Sequence, residues 1–572
     1  MPYVNMAFFF KVINKFFNKI VMKTKMNRVI LFTKAPNLNN SKTRLKNFLS
    51  KKERLELMRK LIGQNYNLIE NENQYPIIYY DGEKSDLDFI DGKKIQQSGN
   101  DLGEKMRNAI FDQLNSYNKV VLIGSDLENL SKDHVNNAFV ILDQYDVVIA
   151  PSIDGGYGLI ALKEKLDIFS DIQYSTPNVL DDTIKKIENL GKSYYLLNPI
   201  RDIDTIKDLI IAEFDDENIT ELGNGEYNLN YKYNDKVIRI NLASQIGLGD
   251  QQLEYEFQAL KTLEKSKVTP KVYSYFKKGE YLAKSFFTME YIEGRHLNYQ
   301  TDMDIAAKLL SSVHNLDVNF DNFLWANKPF YAMYEEFINM FAQYQNYENK
   351  DPIVEEKILE FLEIAKKSGL DVNIENPCII NTELNNRNFI IGEKSVIIDW
   401  EKPIIGECEQ DLAHFLVPTT TNWKTETILT EDQMLTFLKI YEKYRKVDYE
   451  KFYKYLMFNS LRGVTWCSMA KVEYEQDRFL SNDDTLLKIN KFLSLEFLEM
   501  LEKFYRIWYG QRKIRRTFKK RIQLLSNSFC LFCRRFGLRW RNSSKNLNPF
   551  WNGYVQIWHL RGINSILYGL GT

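Results

Sequence analysis

The chain has 572 residues, 44% of them hydrophobic and 27% charged, with 76 basic and 76 acidic side chains. That is the composition of folded globular protein sized for two or three domains, and it excludes a disordered or fibrous chain. No run of eighteen apolar residues occurs, which argues against a membrane-spanning helix. The net charge of zero hides an asymmetry. Arg506 to Arg541 holds twelve Lys and Arg and no Asp or Glu, so the remainder carries about minus twelve. Five cysteines, Cys378, Cys408, Cys467, Cys530 and Cys533, form an odd set without framework spacing, as expected of a reducing cytoplasm.

Residues 1–25 stand apart. Phe9, Ile13, Phe16 and Ile20 recur three or four apart, while Lys11, Lys15 and Lys19 recur every four, giving a helix with one apolar and one basic face. Such a helix would lie on an anionic membrane, making the cytoplasmic protein membrane-peripheral. Equal weight goes to a start at Met22 or Met26, immediately before the strand Val29 to Phe32. No small-residue cleavage site marks a secretory signal.

From 26 to 212 short β-rich runs alternate with helical ones: Arg28 to Phe32, Tyr75 to Tyr80, Val120 to Ile123 and Asp146 to Ala150. This alternation predicts an α/β domain with a mostly parallel sheet covered on both faces, whose ligands bind beyond the carboxyl ends of the strands. Polar residues gather at those ends. The first strand runs into Thr33-Lys34-Ala35-Pro36 and then Ser41-Lys42-Thr43-Arg44-Leu45, three cations suited to phosphate. Val121-Leu122-Ile123-Gly124-Ser125-Asp126 ends on a carboxylate able to hold a divalent ion together with phosphate oxygens. Ala150-Pro151-Ser152-Ile153-Asp154-Gly155-Gly156 ends on a glycine turn. Taken singly, each has an ordinary reading as a helix start, a turn cap or a common turn.

Their order, together with Asp101-Leu102-Gly103-Glu104-Lys105-Met106 and Arg201-Asp202-Ile203-Asp204-Thr205, resembles a family of nucleotide-diphosphate-sugar transferase-like proteins of the GT-A type, akin to small-molecule nucleotidylyltransferases. The resemblance implies a metal-dependent glycosyl- or nucleotidyltransferase whose substrate is a nucleoside triphosphate or nucleotide-sugar. Lys34, Lys42 and Arg44 would neutralise phosphates, Asp126 would hold Mg2+ or Mn2+, and Asp154 with Gly155 and Gly156 would approach the acceptor or sugar. Two departures stand out. Asn39 occupies a glycine position, which a left-handed Asn could serve, and Glu128 occupies a proline position.

From 213 to 500 a second pattern appears. Leu222-Gly223-Asn224-Gly225-Glu226-Tyr227 precedes Val237-Ile238-Arg239-Ile240, a glycine turn that lets backbone N–H groups approach phosphate, followed by a strand cation. Glu254 and Glu256, in the helical run Leu253 to Leu263, are the candidate partners of Arg239. Phe286 to Gly294 reads as a buried strand and its exit. His314 closes a helix with Ala306, Leu309 and Leu310 on its apolar face, and is read as a packed or capping residue. Then comes Asn381-Thr382-Glu383, with Asn388 five residues beyond and Asp399 ending the next apolar run. A loop carboxylate, an Asn and a strand-final Asp are the parts that phosphoryl transfer needs for the attacking hydroxyl and for magnesium.

These motifs, with Glu409-Gln410-Asp411-Leu412-Ala413, resemble the aminoglycoside phosphotransferase and choline kinase family. The resemblance implies a kinase-like α+β domain that binds ATP through Gly223, Gly225, Arg239 and Glu256 and magnesium through Asn388 and Asp399, adenine on the Phe286 strand, and Asp411 bracing the loop from behind. The family's loop normally runs His-Gly-Asp-Leu. Here Asn381 and Glu383 stand for the His and the catalytic Asp, and Glu is one methylene longer.

Beyond 501 the composition turns to Arg, Trp and Gly; Trp508, Trp540, Trp551 and Trp558 lie there. Cys530 and Cys533 make one Cys-x-x-Cys without a second pair, too few ligands for zinc. Nucleic acid is not expected as a partner. The tail reads either as a membrane-interface segment, or as a truncated module or shifted reading frame. The expected function is a bifunctional transferase joining a glycosyl- or nucleotidyltransferase to an ATP-dependent phosphotransferase of a small alcohol. The competing readings are a nucleotide-binding scaffold with an inactive kinase-like half and a membrane-surface assembly factor held by its two basic ends.

Overall fold

The structure, a computed structural model, describes residues 27–70, 76–224, 228–242, 248–475, 483–503 and 505. The expectations for residues 1–25, for Gly225 and for 506–572 lie outside the described residues. Two compact units are present: the first runs to Leu297 and adds Leu316–Phe323 and Asn388–Pro403, and the second holds Asn298–Asn315, Leu324–Arg387 and the chain from Ile404. The junction expected at 212/213 falls inside the first unit.

The first unit opens with β1 (Arg28–Lys34), α1 (Lys51–Ile69), β2 (Ile77–Asp81), β3 (Lys94–Gln96), α2 (Leu102–Leu114), β4 (Val120–Gly124) and α3 (Lys132–Ile141). It continues through β5 (Val147–Pro151), β6 (Tyr157–Leu162), α4 (Val179–Asn189), β7 (Tyr194–Leu196) and α5 (Ile206–Phe214). The seven strands form one sheet in the order β3-β2-β1-β4-β6-β5-β7. All neighbours are parallel except across β6, which runs antiparallel to both β4 and β5. Helices on both faces explain why Val120 to Ile123 and Val147 to Ala150 are buried without alternation. Helix starts follow from local chemistry: Ser50 and Glu53 close a capping box on α1, Thr205 and Asp208 close one on α5, and Asp101 caps α2.

The same unit continues into a five-stranded antiparallel sheet of β8 (Thr220–Asn224), β9 (Asn228–Tyr233), β10 (Lys236–Asn241), β11 (Val272–Phe276) and β12 (Phe286–Glu290), ordered β11-β12-β10-β9-β8. Helix α6 (Gln252–Leu263) accompanies it, and β13 (Arg295–His296) joins β16 (Phe389–Ile391) and β17 (Val396–Ile397) in a small antiparallel sheet. Helices α1 and α5 of the first sheet's domain share a core with the five-stranded sheet. Leu45, Phe48, Leu57 and Leu61 pack in a single cluster with Leu209, Ile210, Leu229, Ile238, Ile240 and Phe286. Glu213, at the end of α5, accepts the backbone N–H groups of Glu280, Tyr281 and Leu282 at 3.0, 2.7 and 3.2 Å. A Cβ on Gly279 would lie 2.5 Å from that carboxylate, so a larger residue there would have to displace the Glu213 side chain.

The second unit is mostly helical: α7 (Met303–His314), α8 (Pro329–Gln345), α9 (Pro352–Lys367), α10 (Cys408–Leu416), α11 (Pro418–Lys424), α12 (Glu431–Tyr441), α13 (Tyr449–Glu475) and α14 (Asp483–Phe492). A three-stranded sheet, β14 (Leu324–Trp325), β18 (Ile404–Glu407) and β15 (Pro377–Ile380), lies among them in that order. Helix α13 runs along α8 and α10 and buries Leu456, Phe458, Leu461 and Val464. Among the described residues no helix is long and apolar enough to cross a membrane.

Candidate functional site

Beyond the carboxyl ends of β1 and β4 lies a cavity of about 180 Å³ lined by Lys34, Lys42, Arg44, Asp126 and Asp204 among others. Its walls are fixed by buried polar contacts. Asn65 of α1 donates to the carbonyls of Ser125 and Leu127 at 3.1 and 2.9 Å, and the Ser125 hydroxyl donates to Thr33 at 2.8 Å. Lys42, left-handed at φ 42°, sends its ammonium to Asp126 at 2.8 Å and to Asp204 at 3.3 Å, and Arg44 reaches Asp204 at 2.6 Å. Burial alone would lower the Lys42 pKa, but the two carboxylates hold it above its ordinary value. Burial likewise works against the charge on Asp126, and Lys42 overcomes it to keep that carboxyl below its usual range.

The two departures from the family pattern have distinct outcomes. Asn39 is not left-handed; Lys42 takes the positive φ instead, and the Asn39 backbone N–H donates to Asn37 Oδ1 at 3.0 Å. Glu128 does what a proline could not, donating its backbone N–H to the Arg201 carbonyl at 2.9 Å while its carboxylate meets the Arg201 guanidinium at 2.9 Å.

Asp154 hydrogen-bonds within its own turn, accepting from the Ser152 hydroxyl and from the Gly156 N–H. Asp202 is held beside Leu127 by an isolated bridge. Burial, then Asp154, Asp126 and Asp204, push its carboxyl up to about 6. Four carboxylates, Asp126, Asp154, Asp202 and Asp204, thus face three cations, Lys34, Lys42 and Arg44. Among the described residues no three ligating side chains converge as a metal set. Only the tertiary fold brings Asp202 near Asp154, Asp126 and Asp204, although the alternating Arg201-Asp202-Ile203-Asp204 was a visible signal.

In the five-stranded sheet Arg239 is buried on β10. Its guanidinium pairs with Glu256 of α6 at 2.8 Å, Asp399 at 2.8 Å and Glu401 at 3.5 Å. Of the two helix glutamates, Glu256 is therefore the partner. Burial raises its pKa to about 7 against the opposing pull of Arg239. Asn388 and Asp399 flank the β16–β17 hairpin, with the Asn388 carbonyl accepting the Ile398 N–H at 2.7 Å and Asp399 left-handed at φ 64°. Gly223 lies on β8 with φ 155° and nothing within 4 Å of where a Cβ would stand.

In the second unit β15 delivers Asn381, Thr382 and Glu383. Asp411, fully buried in the first turn of α10, accepts the N–H groups of Asn381 and Thr382 at 2.8 Å each, the bracing expected of it. His314 is buried between Asp411, at 3.3 Å, and the Tyr441 hydroxyl, at 2.8 Å, a packed histidine as read. Thr382 is held at φ 74°, costly for a β-branched residue. Arg462 of α13, which no sequence pattern marked, donates to the Thr382 carbonyl at 3.1 Å and to Glu383 at 3.5 Å.

The matches to known proteins support a two-domain transferase: a nucleotidyltransferase-like domain on a mostly parallel sheet, then a kinase-like domain. Residues 78–176 match the family described as uncharacterized protein conserved in bacteria (DUF2064), and residues 218–452 match the phosphotransferase enzyme family (APH). A 2-phospho-L-lactate guanylyltransferase of Methanocaldococcus vulcanius is 27% identical over 188 residues, 32% of this chain and 82% of the relative. A solved protein of Desulfovibrio desulfuricans G20, provisionally described as a nucleotide-diphospho-sugar transferase, is 26% identical, with 34% of this chain and 89% of that one covered and a TM-score of 0.32. A choline kinase of Streptococcus pneumoniae is 20% identical, covering 52% of this chain and 98% of its own, with a TM-score of 0.36.

Proposed function

We propose that the chain is a bifunctional enzyme: the C-terminal domain phosphorylates a small alcohol with ATP, and the N-terminal domain transfers a nucleotidyl group from a nucleoside triphosphate to a small phosphorylated acceptor. The observation that carries the second activity is the set of three cations, Lys34, Lys42 and Arg44, converging with Asp126 and Asp204 on one cavity at the strand ends. Such cations stabilise charge as it develops on a transferring or departing phosphate. The guanylyltransferase relatives favour nucleotidyl over glycosyl transfer, and guanosine triphosphate is the first donor to test. A bound Mg2+ or Mn2+ would supply further charge neutralisation at the phosphates, held by Asp126 and Asp202. Lys42 is the bridging element, because phosphate entering the cavity can take its ammonium from Asp126 and free that carboxylate.

In the C-terminal domain the reading assigns Arg239 and Glu256 to the phosphates, with the glycines 223 and 225 approaching them. Asn388 and Asp399 would hold magnesium, and Glu383 would orient the attacking hydroxyl. The grip of Asp411 on two loop amides supports it, since proximity and orientation supply much of phosphoryl-transfer catalysis. One activity feeds the other in chemical terms: a phosphorylated alcohol is an acceptor for a nucleotidyltransferase. The test is to incubate the full chain with ATP, Mg2+, each nucleoside triphosphate in turn, and choline, ethanolamine, sugars or aminoglycosides. Phosphorylated alcohol and pyrophosphate release are the expected products. Phosphorylated alcohol without pyrophosphate release from any triphosphate refutes the N-terminal assignment.

A further inference from the structure

We infer that Arg462 is a positioning residue for phosphoryl transfer: its guanidinium takes up the extra methylene of Glu383 by drawing the carboxylate, and the loop that carries it, against helix α13. The inference rests on the phosphotransferase reading above. Four contacts converge on this one side chain. Nη1 donates to the Thr382 carbonyl at 3.1 Å and Nη2 to Glu383 Oε1 at 3.5 Å, while Nε and Nη2 meet Glu336 Oε1 of α8 at 3.3 and 3.2 Å.

Asp411 and Arg462 therefore hold the loop from opposite kinds of group. Asp411 accepts the amides of Asn381 and Thr382, and Arg462 donates to the next carbonyl. Thr382, between these two grips, keeps a left-handed backbone that a β-branched residue would leave if either were released. Helix α13 is itself fixed at this level, because a Cβ on Gly463 would lie 2.5 Å from Thr419 of α11. A guanidinium is suited to the task, with a planar set of donors that serves a carbonyl and two carboxylates together.

Three other charged or titratable groups of the second unit bear on Glu383. Glu336 competes for Arg462. His414 of α10 is pushed down to about 4, by burial first and by Arg462 second, so it stays neutral above pH 5. Asp411 is committed to the two amides. Arg462 is a cation 3.5 Å from Glu383, and its removal should move the acid limb of turnover upward.

The experiment uses the full chain and the best alcohol from the choline, ethanolamine, sugar and aminoglycoside panel. Arg462→Met is expected to lower kcat at least about tenfold, the cost of a small misplacement of a reacting group, to leave the KM for ATP within twofold, and to shift the acid limb of kcat/KM to higher pH. Arg462→Lys should restore the limb but only part of kcat, because charge returns without the planar fork. Glu336→Gln frees Arg462 for Glu383 and should move the limb to lower pH, a readout that stands even if Arg462→Met does not fold. An active unaltered protein whose acid limb stays fixed in Arg462→Met and Glu336→Gln overturns the inference alone. An unaltered protein that phosphorylates nothing in the panel overturns the phosphotransferase reading and the inference with it.

Discussion

Asp202 offers the most direct test of the charge balance at the strand ends. Its carboxyl is raised from 3.8 to about 6, by burial first and then by Asp154, Asp126 and Asp204. The folded chain then binds this proton more tightly than the unfolded chain does, so Asp202 costs nothing below about pH 4, and stability falls as pH rises through 6. The difference of about 2 pH units at 1.36 kcal/mol each corresponds to about 3 kcal/mol. Solvent reaching the partly open site reduces this to about 1–3 kcal/mol. Asp202→Asn keeps the shape and removes the charge. At pH 8 it should raise the calorimetric midpoint by several degrees, since about 1 kcal/mol is worth 2–4 °C in a domain of this size. At pH 4 the variant and the parent should melt together. Mg2+ should raise the midpoint of the parent at pH 8 and do so less in the variant. A change of equal size at both pH values, or a loss of stability at pH 8, would refute the charge argument.

Further outcomes are expected elsewhere. Asp126→Asn should abolish pyrophosphate release and lower the melting midpoint, because the buried Lys42 ammonium keeps only Asp204 as its partner, which calorimetry and a pyrophosphate assay can check together. Glu383→Gln should lower alcohol phosphorylation by at least about a hundredfold, with ATP still protecting against thermal unfolding through Arg239 and Asp399; undiminished turnover would remove Glu383 from its role. His414, held near 4 in the fold against 6.5, makes the unfolded chain the better proton acceptor between those values. Stability should therefore drop as pH falls from about 6.5 to 4, by up to about 3 kcal/mol, and the drop should shrink in His414→Asn when urea midpoints are compared across that range.

Much of this was legible in sequence because it is written in local chemistry. Strands such as Val120–Gly124 and Val147–Pro151 announce themselves as short apolar runs, and the polar residues that end them, Asp126 above all, follow from the rule that parallel sheets bind ligands beyond their carboxyl ends. Asp411 behind the loop and Arg239 opposite a helix glutamate were expected from the resemblance to the phosphotransferase family, whose motifs stand in the same order here. Other features needed residues far apart in the chain to meet. The antiparallel β6 inside a parallel sheet depends on pairing partners that alternation cannot specify. The choice of Glu256 over Glu254 turned on which face of α6 the sheet buried. The raised carboxyl of Asp202 exists because the fold buries it, first, and brings three other aspartates close to it. Arg462 is one cation in a 27-residue helix with nothing in its neighbours to mark it, and it gains meaning only where α13 passes the loop of Glu383. Sequence fixes what a segment can form by itself; electrostatics and side-chain pairing depend on distances that only the packed fold creates.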